Sequence, residues 1–351
     1  MKDLFIATNN GDIGGGEVML LNIARAARSV GQKVTIIGPA QPAELVEAAQ
    51  DEGFPTVVLP AHSRLAYLAQ LQFWVRRNLK GQVLWCNGLV PAFATSLTRN
   101  RIVHLHQIPK GKQKYLAAIA KQGALAVLAP SDFAVSKIRG SQRFYNWVQA
   151  PEPSQHRSFD KKVIRIGFLG RPSDFKGTQH LAQALLLLNQ KETKTSYELV
   201  IGGESRFVSE RDKIEMSPAL ASLGKKLIEL GWTSPAQYFS QIDIAVVPSN
   251  WDEVFGLVAA ETMSAGVPLI VSDAGALPEI VGKDYPYIFP RADVQELADM
   301  IKTVAEDLKT KSPLLEETVR QATWRWLEAF SPQAGQARVS EILKNIEQQQ
   351  V

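Results

Sequence analysis

Residues 242–281 read IDIAVVPSNWDEVFGLVAAETMSAGVPLIVSDAGALPEIV. The run opens on an apolar, β-branched strand pattern (242–249), passes through a polar turn and reaches a second such strand (267–273). Between the two a helix is expected to begin near Gly256. Strand, helix, strand is the βαβ unit from which parallel sheets are built. Glu253 and Glu261 stand eight residues apart in it, one before the helix and one two turns along. Helix capping accounts for the first carboxylate, but packing gives no reason for the second.

The same alternation runs outward in both directions. Strand patterns recur at 3–8, 33–38, 55–60, 82–87, 101–106 and 124–130, with helical spacing of apolar residues between them, as in 16–30 and 64–79. A second series begins at 163–170 and continues at 197–203, 226–232, 242–249 and 267–273. The stretch 146–162, NWVQAPEPSQHRSFDKK, has the proline and polar content of a linker. From Pro313 the tail reads as apolar helices carrying Trp324, Trp326, Leu327 and Phe330, ending in polar IEQQQV. The expected fold class is α/β: two Rossmann-like, doubly wound parallel-sheet domains, residues 1–150 and 151–330, facing across a cleft at the carboxyl ends of their strands.

The 351 residues suit two domains of roughly 150 residues each. With 45% hydrophobic and 21% charged residues the chain reads as globular. The single cysteine, Cys86, fits a reducing compartment, and neither a signal-peptide pattern nor an 18-residue apolar run is present, so a cytoplasmic protein is expected. The net charge of +4 conceals +9 in residues 1–150 and −5 in residues 151–351. Such a basic half suggests an anionic partner.

Polar residues gather at the expected cleft. The first strand leads into NNGDIGGGE (9–17), where Gly14, Gly15 and Gly16 permit positive φ and close approach of an anion to a helix start. A plain flexible turn is the competing reading. A dinucleotide site is disfavoured, because the spacing is not G-x-G-x-x-G and the second strand ends in Gly38-Pro39 instead of an acid. Strand 101–106 carries His104 and His106 on one face, and either can instead be a structural histidine. In GRPSDFKGTQ (170–179) Arg171 and Lys176 can reach one phosphate cluster, Arg171 as a fork and Lys176 as a point charge. Eight helical residues rise about 12 Å, comparable to the span from hexose to ribose in a nucleotide diphosphate sugar. Glu253 would then take sugar hydroxyls, Glu261 ribose hydroxyls, and the N–H groups around Val254, Phe255, Gly256, Leu257 and Val258 the diphosphate.

Together GGGE (14–17), R-x4-K (171–176), P-S-x2-W-x-E-x-F-G-L-V-A-x-E (248–261) and AGVPLIVSDAGALPEIV (265–281) resemble glycosyltransferase family 4. The resemblance implies a retaining enzyme of the two-Rossmann GT-B fold. It implies that Arg171 and Lys176 hold the donor diphosphate, Glu253 the hexose and Glu261 the ribose. It also implies that Gly15, Gly16 and Glu17 close over the diphosphate, that His106 meets the donor sugar, and that Trp232 and Thr233 lie beside the base. A terminal helix, residues 331–351, is expected to cross back to the first domain. Thr262 stands where the family has Ala, Asn146-Trp147-Val148 replaces N-G-V, and the chain is short for the family.

The implied chemistry is departure of a nucleoside diphosphate, stabilised by two cations and a helix N-terminus. No Asp-x-Asp appears at the cleft, so neither metal nor cofactor is expected, and the two glutamates read as hydroxyl ligands instead of a glycosidase pair. The expected donor is UDP-glucose or a close relative; the expected acceptor is a saccharide or lipid-linked sugar of a bacterial polysaccharide or glycolipid. Domain closure, hinged at 146–162 and the terminal helix, would exclude water. A sugar-nucleotide epimerase, a phosphorylase and a non-catalytic sugar-nucleotide-binding protein are the alternatives.

Arg64, Arg76, Arg77, Lys80, Arg99, Arg101, Lys110, Lys112, Lys114 and Lys121 supply much of the basic charge. Segments 62–81 and 110–123 read either as peripheral contacts with an anionic membrane, at its inner face, or as ordinary surface helices. Nucleic acid is not expected, since no binding motif accompanies the charge.

Overall fold

The computed structural model describes residues 3–152, 159, 162–191, 194–203 and 218–348. The chain divides into two compact units, Met1–Trp147 with Pro332–Val351, and Val148–Ser331. Residues 153–158 and 160–161 of the linker and proposed hinge, and the last three residues of the polar tail, lie outside the described residues.

Unit 1 holds strands β1 (Leu4–Ala7), β2 (Val34–Pro39), β3 (Thr56–Leu59), β4 (Val83–Asn87), β5 (Arg101–His104), β6 (Ala126–Ala129) and β7 (Gln142–Arg143). Its helices are α1 (Gly15–Ser29), α2 (Glu44–Asp51), α3 (Arg64–Asn78), α4 (Leu89–Ala94), α5 (Gln113–Lys121) and α6 (Asp132–Lys137). The sheet order is β3-β2-β1-β4-β5-β6-β7, with every pairing parallel. Such strands are covered on both faces, which is why Ile6, Ile36, Leu84 and Ile102 are fully buried. Right-handed crossovers put α1 and α2 on one face and α3, α4 and α5 on the other.

Unit 2 repeats the plan. Strands β8 (Val163–Leu169), β9 (Ser196–Gly202), β10 (Leu227–Gly231), β11 (Ile244–Val247), β12 (Leu269–Ser272) and β13 (Ile288–Phe289) lie in the order β10-β9-β8-β11-β12-β13, all parallel. Its helices include α7 (Thr178–Lys191), α8 (Pro235–Phe239), α9 (Leu257–Ala265), α10 (Leu277–Val281), α11 (Val294–Thr310) and α12 (Pro313–Ala329). Leu181, Leu185, Leu199, Ile201, Ile244 and Ile301 join one buried core across sheet and helices. In both units strand order reverses beside the first strand, the place where open parallel sheets bind ligands.

The chain returns to unit 1 in α13 (Pro332–Gln348), which packs on α1. Gly335 admits this contact: a Cβ there would sit 2.2 Å from the Trp147 ring. The four large apolar residues expected in the tail's helices divide between core and surface. Trp326 and Phe330 are buried, whereas Trp324 and Leu327 face solvent, because α12 is a two-sided surface helix.

Candidate active site

In unit 2 the site is built where β8 and β11 end. The loop after β11 brings Glu253 against the loop after β8: Lys176 Nζ donates to Glu253 Oε1 at 2.6 Å, and Ser249 Oγ donates to the same oxygen at 2.7 Å. Glu253 is 8% exposed, so the ammonium and the hydroxyl replace most of the water its charge would otherwise hold. The two loops are stitched by the backbone as well. Asn250 N–H donates to the Phe175 carbonyl at 2.9 Å, and Asn250 Nδ2 to the Asp174 carbonyl at 3.0 Å. Neighbouring acids are engaged elsewhere, Asp252 and Asp273 both by Arg291.

Gly275 fixes the far side of Glu253. It holds φ 63°, and a Cβ there would lie 2.4 Å from the Glu253 carbonyl oxygen. Ala276 N–H donates to that oxygen at 2.8 Å. The chain then enters α9 through Gly256, whose φ of 99° is open to glycine and strained for other residues. No side chain caps α9 and its first turn carries no acid. The N–H groups of Leu257 and Val258 have no acceptor among the described residues. A nine-residue helix therefore presents uncompensated donors beside Lys176 and Glu253. Val254 and Phe255 complete the turn, with Phe255 buried against Phe330 at 5.3 Å between ring centroids.

Glu261 lies one turn into α9, and its carboxyl has no hydrogen-bond partner among the described residues. Burial raises its pKa to about 7. Arg171 is exposed at the mouth of the β8 loop. Trp232, 78% exposed, and Thr233 follow β10, where the Gly231 carbonyl accepts from Gly203 N–H at 2.8 Å.

In unit 1 the glycine loop departs from expectation. None of Gly14, Gly15 or Gly16 has positive φ; Gly14 is the extended N-cap of α1 and the other two form its first turn. Their use is closeness, since a Cβ on Gly16 would rest 3.6 Å from the His106 ring. Glu17 turns inward, its carboxylate accepting from Gly14 N–H and Thr8 Oγ1 at 3.3 Å each. That carboxylate thus caps its own helix.

His106 is held by a residue the sequence did not single out. Asn87, at the end of β4, donates from Nδ2 to the Gly16 carbonyl at 3.0 Å, which fixes its amide orientation. Its Oδ1 then lies 2.7 Å from His106 Nε2 and accepts from it, so the ring carries its proton on Nε2. His104 packs at 4.0 Å between ring centroids, and burial pushes His106 down to about 4. The ring is neutral above that pH. The available signal was positional: Asn87 ends one strand as the histidines end the next. Asn87→Ala is expected to lower stability by about 1–3 kcal/mol, the cost of stranding buried partners. Nitrogen NMR of the histidine rings should show His106 losing its fixed Nε2–H form; an unchanged ring signature would refute this role.

Residues 150–321 match the family model described as glycosyl transferases group 1. The lipopolysaccharide core biosynthesis mannosyltransferase LpsB of Rhizobium meliloti is 22% identical over 310 residues, 82% of this chain and 83% of the relative. A D-inositol 3-phosphate glycosyltransferase of Corynebacterium glutamicum is 28% identical over 167 residues, 46% of this chain and 40% of its own length. Among solved structures, HepE of Anabaena, crystallised with UDP and glucose, superposes with a TM-score of 0.80 at 20% identity, covering 98% of this chain and all of that one. Sucrose-phosphate synthase of Thermosynechococcus elongatus superposes at 0.82 with 16% identity, covering 99% and 100%. The fold is that of the GT-B class, and the family model and the relatives make the protein a glycosyltransferase. Residues 150–321 thus carry a domain of the glycosyl transferases of group 1, and the chain as a whole is similar to enzymes of family 4.

Proposed function

We propose that this enzyme moves a hexose from a UDP-linked donor to a saccharide or lipid-linked acceptor of a bacterial polysaccharide or glycolipid, with retention and without a metal ion. The observation that carries the reading is the cluster of Lys176, Glu253 and the uncapped start of α9 on adjoining loops of unit 2. A nucleotide diphosphate sugar has hydroxyls at both ends and negative charge in the middle. Glu253 and Glu261 suit the hydroxyls, and Lys176, Arg171 and the N–H groups suit the charge.

In the reaction the bond from the anomeric carbon to the diphosphate breaks while the acceptor oxygen bonds to that carbon from the same face. The acceptor's proton passes to the departing phosphate oxygen. Positive charge at the anomeric carbon is then balanced by the diphosphate, whose own charge the cations and helix end stabilise. A divalent ion is not needed for this, because those groups supply the positive charge. The names of the LpsB relative and of the UDP-bound HepE support a bacterial cell-surface sugar as product and UDP as carrier. A mannosyl donor is the second reading, favoured by the mannosyltransferase name of that relative.

Thermal melting with UDP, GDP, ADP and their common sugar conjugates, with and without EDTA, tests both. A ligand bound only by the native state raises the melting temperature by mass action. Stabilisation by UDP compounds, indifferent to EDTA and lost in Lys176→Ala, is expected. Stabilisation by GDP-mannose alone moves the reading to mannose, and silence from every nucleotide removes it.

A further inference from the structure

Helices α3 and α5 turn large apolar side chains away from the sheet. α5 buries only Ala117 and Ala120, while Tyr115 is 76% exposed and Leu116 and Ile119 are exposed beside it. α3 buries Tyr67, Leu71 and Val75 but presents Leu65 and Phe73 to solvent. Leu97, just beyond α4, is 83% exposed. α4 packs against both α3 and α5, so these side chains share one face of unit 1.

The charge of this face is one-sided. From Gly53 to Ser131 the chain contains no aspartate or glutamate, yet it carries ten lysines and arginines. Arg101 alone among them is fully buried, its guanidinium donating to the carbonyls of Ala92, Ser96, Thr98, Ala120 and Gln122 and so clamping α4 to α5. The other nine reach the surface, among them Arg76, Arg77, Lys112 and Lys114.

We propose that the outer face of α3, the α4–β5 loop and α5 docks on an anionic lipid bilayer. Outward leucine, phenylalanine and isoleucine enter the boundary of the acyl chains, Tyr115 sits at the headgroups, and the cations meet lipid phosphates. A polyanion such as nucleic acid or acidic polysaccharide would use the cations and leave the apolar side chains in water. A protein interface of this kind would depart from the usual depletion of lysine at its core. α5 follows His106 after a short loop, so the surface begins at the site end of the sheet. A lipid-linked acceptor, which rests on the proposed transfer reaction, would be presented there.

The full chain is mixed with vesicles of phosphatidylcholine alone, or of phosphatidylcholine with an equal amount of phosphatidylglycerol, and floated at low and high salt without nucleotide. Binding is expected only to the anionic vesicles. It should weaken by about fivefold for each cation removed in Lys112→Gln and Lys114→Gln. Phe73→Ser with Ile119→Ser, both at exposed positions, should reduce it further. No flotation with anionic vesicles at low salt overturns the proposal. So does tight binding to heparin or RNA with vesicle binding indifferent to Phe73→Ser and Ile119→Ser. Lys176→Ala should bind vesicles as the wild type does, which separates failure of the lipid surface from failure of the donor site.

Discussion

Lys176→Ala is expected to lower kcat by roughly 10²–10³, the loss seen when one preorganised donor is taken from developing negative charge. Two things disappear with this ammonium. The departing diphosphate loses a cation, and among the described residues Glu253 keeps only Ser249 as a side-chain donor, leaving a buried carboxylate uncompensated beside the phosphates. A lysine carries three N–H groups, so the 2.6 Å bond to Glu253 leaves two for phosphate oxygens. The double variant Lys176→Ala with Glu253→Gln separates these effects. Removing the carboxylate should restore donor binding relative to Lys176→Ala while turnover stays low, a non-additivity that a double-mutant cycle measures. Steady-state kinetics and nucleotide titration on the four proteins decide it. Turnover of Lys176→Ala near the wild-type value would remove Lys176 from the chemistry.

Glu261 should give the protein a pH dependence of opposite sense to ordinary acid denaturation. Its carboxyl, about 4.5 when free in solution, is held up to about 7 by burial. Well below pH 4 the acid is protonated in folded and unfolded chains alike. Between there and 7 only the unfolded chain releases its proton, so stability falls as pH rises and levels off above 7. The full effect is about 3 kcal/mol. Glu261→Gln should abolish this slope and melt higher than the wild type at pH 8. His104 and His106, held neutral by burial, act the other way and remove stability as pH falls below 6.5, so the comparison is made between wild type and variant. If Glu261 binds ribose hydroxyls as a carboxylate, nucleotide affinity rises from pH 6 to 8 and binding releases a proton. Calorimetry in buffers of different ionisation heat detects that proton. Affinity independent of pH, or unchanged in Glu261→Gln, would take Glu261 out of the nucleotide site.

The strand runs were legible because buried parallel strands are continuous apolar, β-branched segments, as VIRIGFL and IAVV show. β7 and β13 were not, since two residues are too few to carry a pattern. Gly256 was legible as a helix start, but the conformations of Gly14, Gly15 and Gly16 were misread, because three glycines in a row satisfy a helical first turn as well as a loop. Pairing across the fold was hidden altogether. Lys176 and Glu253 stand 77 residues apart, and Asn87 and Gly16 stand 71 apart. Nothing local in either segment announces the other; only the sheet order, which sets the ends of β8 beside β11 and of β1 beside β4, brings them together.

The return of the chain into α13 bears on the order in which the protein can assemble during synthesis. Unit 2 is encoded as one uninterrupted stretch and can close its core as soon as Ser331 has left the ribosome. Unit 1 begins first and finishes last. The side of α1 that packs on α13 stays uncovered, and Trp147 lacks Gly335 to pack on, until α13 emerges. In the interval the earlier-made half is the more exposed to aggregation and proteolysis, so ribosome-bound chains that stop short of Pro332 should be cleaved first within residues 1–147.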